Sequence, residues 1–217
     1  MDALAELRPS WRGLLHRGAA PVFGLAFAFL TVRTPAAQSN RLAVTVYGLG
    51  VLAMFSVSAA YHASAARPSQ LSRVLQRLDH GAILLAIAGT YTAVTALALV
   101  APRRGQLLVG VWVLAAVGIT VQVLLVSAPR WVGAVGYLAV GWFAVFDLPA
   151  YLRGTTAAEF TWIVLGGVVY SAGGIVYALK RPNPAPATFG YHEVFHALTV
   201  VAAACHFVAV ALLVSRL

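Results

Sequence analysis

Long apolar runs alternate with short polar stretches along the whole chain. A helix needs about 20 apolar residues to cross a hydrocarbon core of about 30 Å. Seven runs come close to or reach that length, at approximately residues 19–32, 42–62, 78–100, 106–127, 131–152, 160–179 and 190–214. The first run is the shortest, and its helix is expected to begin between residues 14 and 19. The pattern predicts an all-α, polytopic membrane protein with seven transmembrane helices in a single domain, residues 1–217.

The N-terminal segment has a different pattern from the apolar runs. Residues 2–17 place apolar side chains at helical spacing, with arginines elsewhere around the axis. The apolar positions are Leu4, Leu7, Trp11, Leu14 and Leu15, and the basic ones are Arg8, Arg12 and Arg17. This arrangement predicts a short amphipathic helix that lies on the membrane surface, as an interfacial segment covering residues 1–17.

Composition agrees with a membrane protein and narrows the possible functions. The chain is 61% hydrophobic and 10% charged, with a mean hydropathy of +0.85, far from the values of a soluble domain. Its net charge of +9 comes from arginines placed singly or in pairs between apolar runs, which is typical of topogenic loops and not of a nucleic-acid-binding surface. We find no phosphate-binding loop or dinucleotide fingerprint.

The distribution of basic residues predicts the orientation. Nine lie in the N-terminal segment and the even-numbered loops, and six lie on the other side. The positive-inside rule therefore favours a cytoplasmic N-terminus and, with seven spans, a C-terminus outside. Fourteen of the fifteen basic residues are arginine, which together with the Ala, Val, Leu and Gly content favours a bacterial gene and hence the bacterial inner membrane.

A few ionisable residues lie at the ends of the predicted spans. His192 and His196 are separated by four residues, so a helix places both on one face, where they could grip one metal ion. His62 ends the second span and Asp79 begins the third. Odd and even loops alternate sides, so these four residues are expected at the same face of the membrane. Ser58 lies one turn before His62 and shares its helical face.

The ordered set of motifs resembles the hemolysin III family, the bacterial relatives of the progestin and adipoQ receptors. The matching stretches are Arg12-Gly-Leu-Leu-His16, Ser58-Ala-Ala-Tyr-His62, Asp79-His-Gly-Ala-Ile83, Gly89-Thr-Tyr-Thr92 and His192-Glu-Val-Phe-His196. The resemblance covers nearly the whole chain in order. It implies a seven-helix fold in which His62, His192 and His196 hold one zinc ion near the cytoplasmic face.

The same resemblance implies a reaction. Asp79 would contact the zinc-bound water, with Ser58 beside it, and the wider group of intramembrane hydrolases includes the alkaline ceramidases. Three neutral imidazoles leave zinc its +2 charge, which lowers the pKa of bound water to about 7 and polarises a carbonyl oxygen. The expected function is thus zinc-dependent hydrolysis of a lipid amide or ester, with a membrane lipid as substrate and no nucleic-acid partner.

Other interpretations of the same residues stay open. Glu193 completes a His-Glu-x-x-His motif, in which the acid is the general base of zinc proteases, and we rank it behind Asp79. Asp79 could cap the third helix, and Ser58 could be a packing residue. His16 and His206 are expected to be structural, with no partner in reach.

Two non-enzymatic functions are also compatible with the sequence. Zinc could be a structural clasp between spans two and seven of a receptor-like or regulatory protein. The family name suggests a cytolytic pore, although these spans resemble a constitutive membrane bundle. Imidazole ligands suit zinc but also iron, copper and nickel, and the oligomeric state is left open.

Overall fold

The computed structural model describes residues 10–35, 38–65, 69–124 and 129–217, without the side chains of residues 38 and 130. These residues form eight α-helices: α1 (Leu14–Arg33), α2 (Gln38–Ser64), α3 (Gln70–Ala98), α4 (Arg103–Leu124), α5 (Arg130–Gly141), α6 (Leu148–Gly154), α7 (Ala157–Leu179) and α8 (Tyr191–Ser215). A 3-10 helix, Phe143–Asp147, joins α5 to α6, and the segment Trp131–Gly154 counts as one span. Seven segments are therefore long and apolar enough to cross a membrane, which confirms the predicted fold class.

The first helix begins at Leu14, the earliest of the predicted starting positions. Gly13 has a φ of +78° and directly precedes Leu14, so a left-handed residue marks the start of α1. Leu14 to Arg17, which we assigned to a surface helix, form the first turn of α1. Residues 1–9 of the predicted interfacial segment lie outside the described residues. Residues 10–13 are a turn, whose Ser10 and Trp11 amides donate to carbonyls of the loop before α8.

The third helix also begins before its apolar run. Ser69 caps α3 through a capping box with Ser72, whose backbone amide donates to the Ser69 hydroxyl over 3.1 Å. Asp79 therefore lies in the third turn of α3, where the backbone amides already have partners within the helix. The alternative that Asp79 caps this helix is wrong.

Close contact between α2 and α3 brings together two of the elements that carry the polar residues. A Cβ added to Gly50 would lie 2.7 Å from the carbonyl oxygen of Leu85, and one added to Gly89 would lie 3.0 Å from that of Val46. Small residues at a membrane helix crossing allow backbones to approach closely. The same region buries Tyr47 and Phe55 completely, so the inner side of α2 belongs to the core.

The fifth span is broken in its middle. Between α5 and α6 the chain adopts the 3-10 helix, which leaves backbone groups without α-helical partners. The Tyr91 hydroxyl of α3 donates to the carbonyl of Gly141 over 2.8 Å and accepts from the amide of Ala144 over 2.7 Å. A side chain from the neighbouring span therefore satisfies the backbone at the break, as non-helical backbone at membrane depth requires.

Candidate metal centre

Three histidines meet at one end of the bundle. His62 lies in the last turn of α2, and His192 and His196 lie in the first turns of α8. One nitrogen from each of the three rings lies within 4.8 Å of the other two, and the Nε2 atoms of His62 and His192 are 3.1 Å apart. His62 and His196 are buried, and His192 is half-buried.

The donor set fits a metal ion. Three imidazoles from two helices are a ligand set of zinc sites that keep one position open for water or a ligand. The three-histidine cluster (His62, His192, His196) could therefore hold a metal ion, and its identity is not fixed by imidazole ligands.

The start of α8, which carries two of these histidines, is fixed by side chains on both sides. The Glu193 carboxylate accepts the Gly190 backbone amide at Oε2 over 2.9 Å. Its Oε1 accepts from Nε of Arg12 over 2.5 Å. The Asn183 side-chain oxygen accepts the Tyr191 backbone amide over 3.0 Å. The first turn of α8 is thus held by the loop before it and by the N-terminal segment.

This arrangement also bears on the alternative role of Glu193. Both carboxylate oxygens already have partners, and the side chain is 1% exposed. The residues that line the cavity beside the three histidines do not include Glu193. These contacts favour a helix-capping and ion-pairing role over that of a base.

Asp79 and Ser58 enter the same cavity as the histidines. The cavity has a volume of about 270 Å³, and both residues line it together with the three-histidine cluster. Ser58 is 2% exposed, and its side chain lies beside the Asp79 carboxylate. The structure therefore brings all five of the predicted residues that we favoured to one cavity.

A second cavity of about 110 Å³ lies against the first one and is almost entirely apolar. The two cavities share wall residues from five spans, among them Met54, Ile83, Tyr137, Gly174 and Phe195. The apolar cavity extends along the bundle as far as Trp142 and His206. A polar cavity at the histidines thus adjoins an apolar one inside the bundle.

The sequence analysis missed two residues of this region, His16 and Arg12. His16 is 2% exposed, and its ring stacks on that of His196, with centroids 3.9 Å apart and planes 5° apart. The expectation that His16 has no partner in reach is wrong. Both residues line the cavity. Only their i, i+4 spacing and their position in the resembling N-terminal motif pointed to them, because no local pattern links them to α8, about 180 residues later.

The fold and the cluster together define a multi-pass membrane protein with a potential metal site between its second and last spans. A family model described as "Haemolysin-III related" matches residues 5–207, so the chain belongs to this family. It is similar to the "Hemolysin-3 homolog" of Bacillus subtilis, with 29% identity over 161 residues that cover 72% of this chain and 73% of the relative. It is also similar to "Hemolysin-3" of Bacillus cereus, with 30% identity over 143 residues, 66% of this chain and 64% of the relative.

A more distant match connects the family to receptors. The "ADIPOR-like receptor IZH2" of Saccharomyces cerevisiae is 38% identical over 56 residues, which cover 24% of this chain and 18% of the relative. This match agrees with the resemblance to the progestin and adipoQ receptors.

Proposed function

We propose that this protein is a zinc-dependent hydrolase of a membrane lipid amide or ester, with its site at the cytoplasmic side of a bacterial inner membrane. The observation that carries the proposal is the meeting of the three-histidine cluster with Asp79 in one polar cavity. Ionisable groups are costly within a membrane and are kept mainly where they work.

Each residue has a defined task in this reaction. His62, His192 and His196 would hold the metal, which when bound supplies a Lewis acid that activates water and polarises a carbonyl. Asp79 accepts a proton from the attacking water as the water oxygen adds to the carbonyl carbon. The carbon–nitrogen or carbon–oxygen bond then breaks, and Asp79 returns the proton to the departing amine or alcohol. Ser58, which lines the same cavity beside Asp79, would help to position the Asp79 carboxylate.

The adjoining polar and apolar cavities support a lipid as the substrate. The scissile amide or ester is polar and would lie in the polar cavity beside the histidines, whereas an acyl chain would extend into the apolar cavity toward Trp142. Ligand sites commonly combine an apolar lining with a few convergent polar groups.

Turnover by the purified, metal-loaded protein tests the proposal. An N-acyl amino alcohol and a monoacylglycerol, each with a long acyl chain, are incubated with wild type, Asp79→Asn and Asp147→Asn. We expect wild-type hydrolysis that a chelator abolishes, and a loss of at least about a hundredfold in Asp79→Asn, the typical contribution of a general base. Asp147 pairs with Arg103 over 2.9 Å, toward the other end of the fifth span, so Asp147→Asn is expected to keep activity.

The results test the role of Asp79 separately from the hydrolase activity. Undiminished turnover by Asp79→Asn would refute the role assigned to Asp79. Metal-loaded wild type that hydrolyses neither lipid would contradict the hydrolase proposal for these substrates.

A receptor-like or regulatory protein with structural zinc is the second candidate, supported by the similarity to a protein named as a receptor. Here the metal would clasp α2 to α8. Under this alternative, removal of zinc lowers the melting temperature, whereas Asp79→Asn changes neither the metal content nor any signalling output.

A further inference from the structure

We propose that His16 is a fourth functional histidine of this cavity, which binds the polar group of the ligand that lies beside the metal. The inference rests on the proposed metal site and adds a ligand-binding residue from α1. Three observations support it: the burial of the His16 ring, its stacking on His196, and the lack of hydrogen-bond partners for its two nitrogens among the described residues.

The nitrogens of His16 have no hydrogen-bond partner within the part of the chain that the structure describes. Both Nδ1 and Nε2 are buried and make no hydrogen bond with any of the residues that the structure describes. The main chain of His196 lies beside the ring, yet it does not meet hydrogen-bond geometry. Burying a polar group without a partner is costly, so groups of this kind are usually satisfied by a molecule that binds next to them.

The orientation of the His16 ring argues against His16 as a ligand of the same metal ion as His196. An imidazole binds a metal through a lone pair in the plane of its ring. The His16 and His196 planes are nearly parallel, with centroids 3.9 Å apart, so the in-plane lone pairs of the two rings lie in separate, parallel planes. His16 and His196 would therefore not hold one ion together, and the group of possible metal ligands among the described residues contains only the other three histidines.

The position of the ring shows which ligand atom it would reach. His16 lines the cavity together with Ser58, Asp79 and the three-histidine cluster. Because its ring contacts that of His196, a small group held at the metal lies next to His16. An imidazole N–H in this position donates a hydrogen bond to an oxygen of the ligand. The Phe55 ring, 5.0 Å away on α2, limits the movement of His16.

The stacking and the ring nitrogens can be tested separately. In His16→Phe an aromatic ring still stacks on His196, but the hydrogen-bonding nitrogens are lost. The probe is acetohydroxamate, which binds metals through oxygen and carries further polar atoms. Its affinity for the zinc-loaded, detergent-solubilised protein is measured by isothermal titration calorimetry, and the metal content by inductively coupled plasma mass spectrometry.

We expect His16→Phe to keep the zinc content of wild type and to bind acetohydroxamate roughly tenfold more weakly, the loss that corresponds to one hydrogen bond. The control is His206→Phe, which replaces a half-buried histidine of α8 that interacts with the Ile163 carbonyl and does not line the polar cavity. This control is expected to leave the affinity unchanged.

A second pair of variants, His16→Leu and His16→Gln, is used if His16→Phe does not fold. The two new side chains have similar volumes and lack the stacked ring, but only Gln has a polar group. The His16→Gln protein is therefore expected to bind acetohydroxamate more tightly than the His16→Leu protein. The inference is overturned if wild type and His16→Phe bind acetohydroxamate with equal affinity. Where the second pair is used, it is overturned if His16→Leu and His16→Gln bind with equal affinity. Neither result contradicts the proposed metal site. Zinc-loaded wild type that does not bind acetohydroxamate also overturns it. Wild type that binds no metal refutes the proposed function itself.

Discussion

The Nε atom of Arg12 donates to Oε1 of Glu193 over 2.5 Å, and so joins residues that are 181 positions apart. Glu193 is 1% exposed and also accepts the backbone amide of Gly190, the N-cap of α8. His192 comes directly before Glu193 in the sequence and His196 three residues after it, in the first two turns of α8. The N-terminal segment therefore fixes the helix end that supplies two of the three imidazoles.

The first prediction concerns this ion pair. Arg12→Ala leaves a buried carboxylate with one of its two partners, and we expect it to lower the free energy of unfolding by about 1–3 kcal/mol, the range for a hydrogen bond to a charged group. The melting temperature in detergent and the zinc content both report the change. Arg17→Ala is the control because Arg17 is exposed on α1. Equal melting temperatures for the two variants would show that the pair contributes nothing.

A second prediction concerns Gly13, which precedes α1 and lies against His62. Its φ of +78° favours glycine, and an added Cβ would lie 2.7 Å from the Cβ of His62. Gly13→Ala must therefore strain the turn or displace His62, and we expect metal affinity to fall roughly tenfold, as for changes next to metal ligands. The measurement is a competition titration with a zinc chelator.

Gly18 provides the control for this substitution on the same helix. An added Cβ at Gly18 has no atom within 4 Å, and its φ is not positive. Gly18→Ala should keep the zinc affinity and stabilise α1 by about 0.5–1 kcal/mol. If Gly13→Ala binds zinc as wild type does, His62 is either not a ligand or not constrained by this contact.

A third prediction concerns the metal itself. We expect about one zinc per chain in protein purified without chelator, and much less in His196→Ala. His206→Ala removes a half-buried histidine ten positions further along α8 and should keep the metal. Chelation should lower the melting temperature of wild type, because a ligand that binds only the folded state stabilises it. Equal zinc content in all three proteins would place the metal elsewhere.

The features that could be predicted from the sequence depend on the apolar pattern and on the number of spans. Seven apolar runs predicted the bundle, and the alternation of loops then placed His62, Asp79, His192 and His196 at one end. An error of one span between residues 100 and 190 would have separated them. Helix ends were less predictable, since α3 extends to Gln70 through a stretch with several polar residues, stabilised by the Ser69 cap.

The features that could not be predicted depend on contacts between distant residues, which leave no local pattern in the sequence. The stacking of His16 on His196 joins residues 180 positions apart, and the sequence contains nothing that pairs them. The break in the fifth span had one available signal, because Pro149 lies close to the end of the 3-10 helix and cannot donate a backbone hydrogen bond. The residue that satisfies the break, Tyr91, lies on another span and could not be identified before the packing was known.

The last prediction tests how the broken span is held. Tyr91→Phe removes the hydroxyl that bonds both the Gly141 carbonyl and the Ala144 amide, and leaves these groups in apolar surroundings. An unsatisfied buried group costs about 1–3 kcal/mol, so we expect a clear fall in melting temperature. Tyr47→Phe is the matched control, because the buried Tyr47 hydroxyl has no hydrogen-bond partner among the described residues. Removal of that hydroxyl should be neutral or stabilising. A Tyr91→Phe protein as stable as Tyr47→Phe would mean that the break does not depend on the α3 hydroxyl.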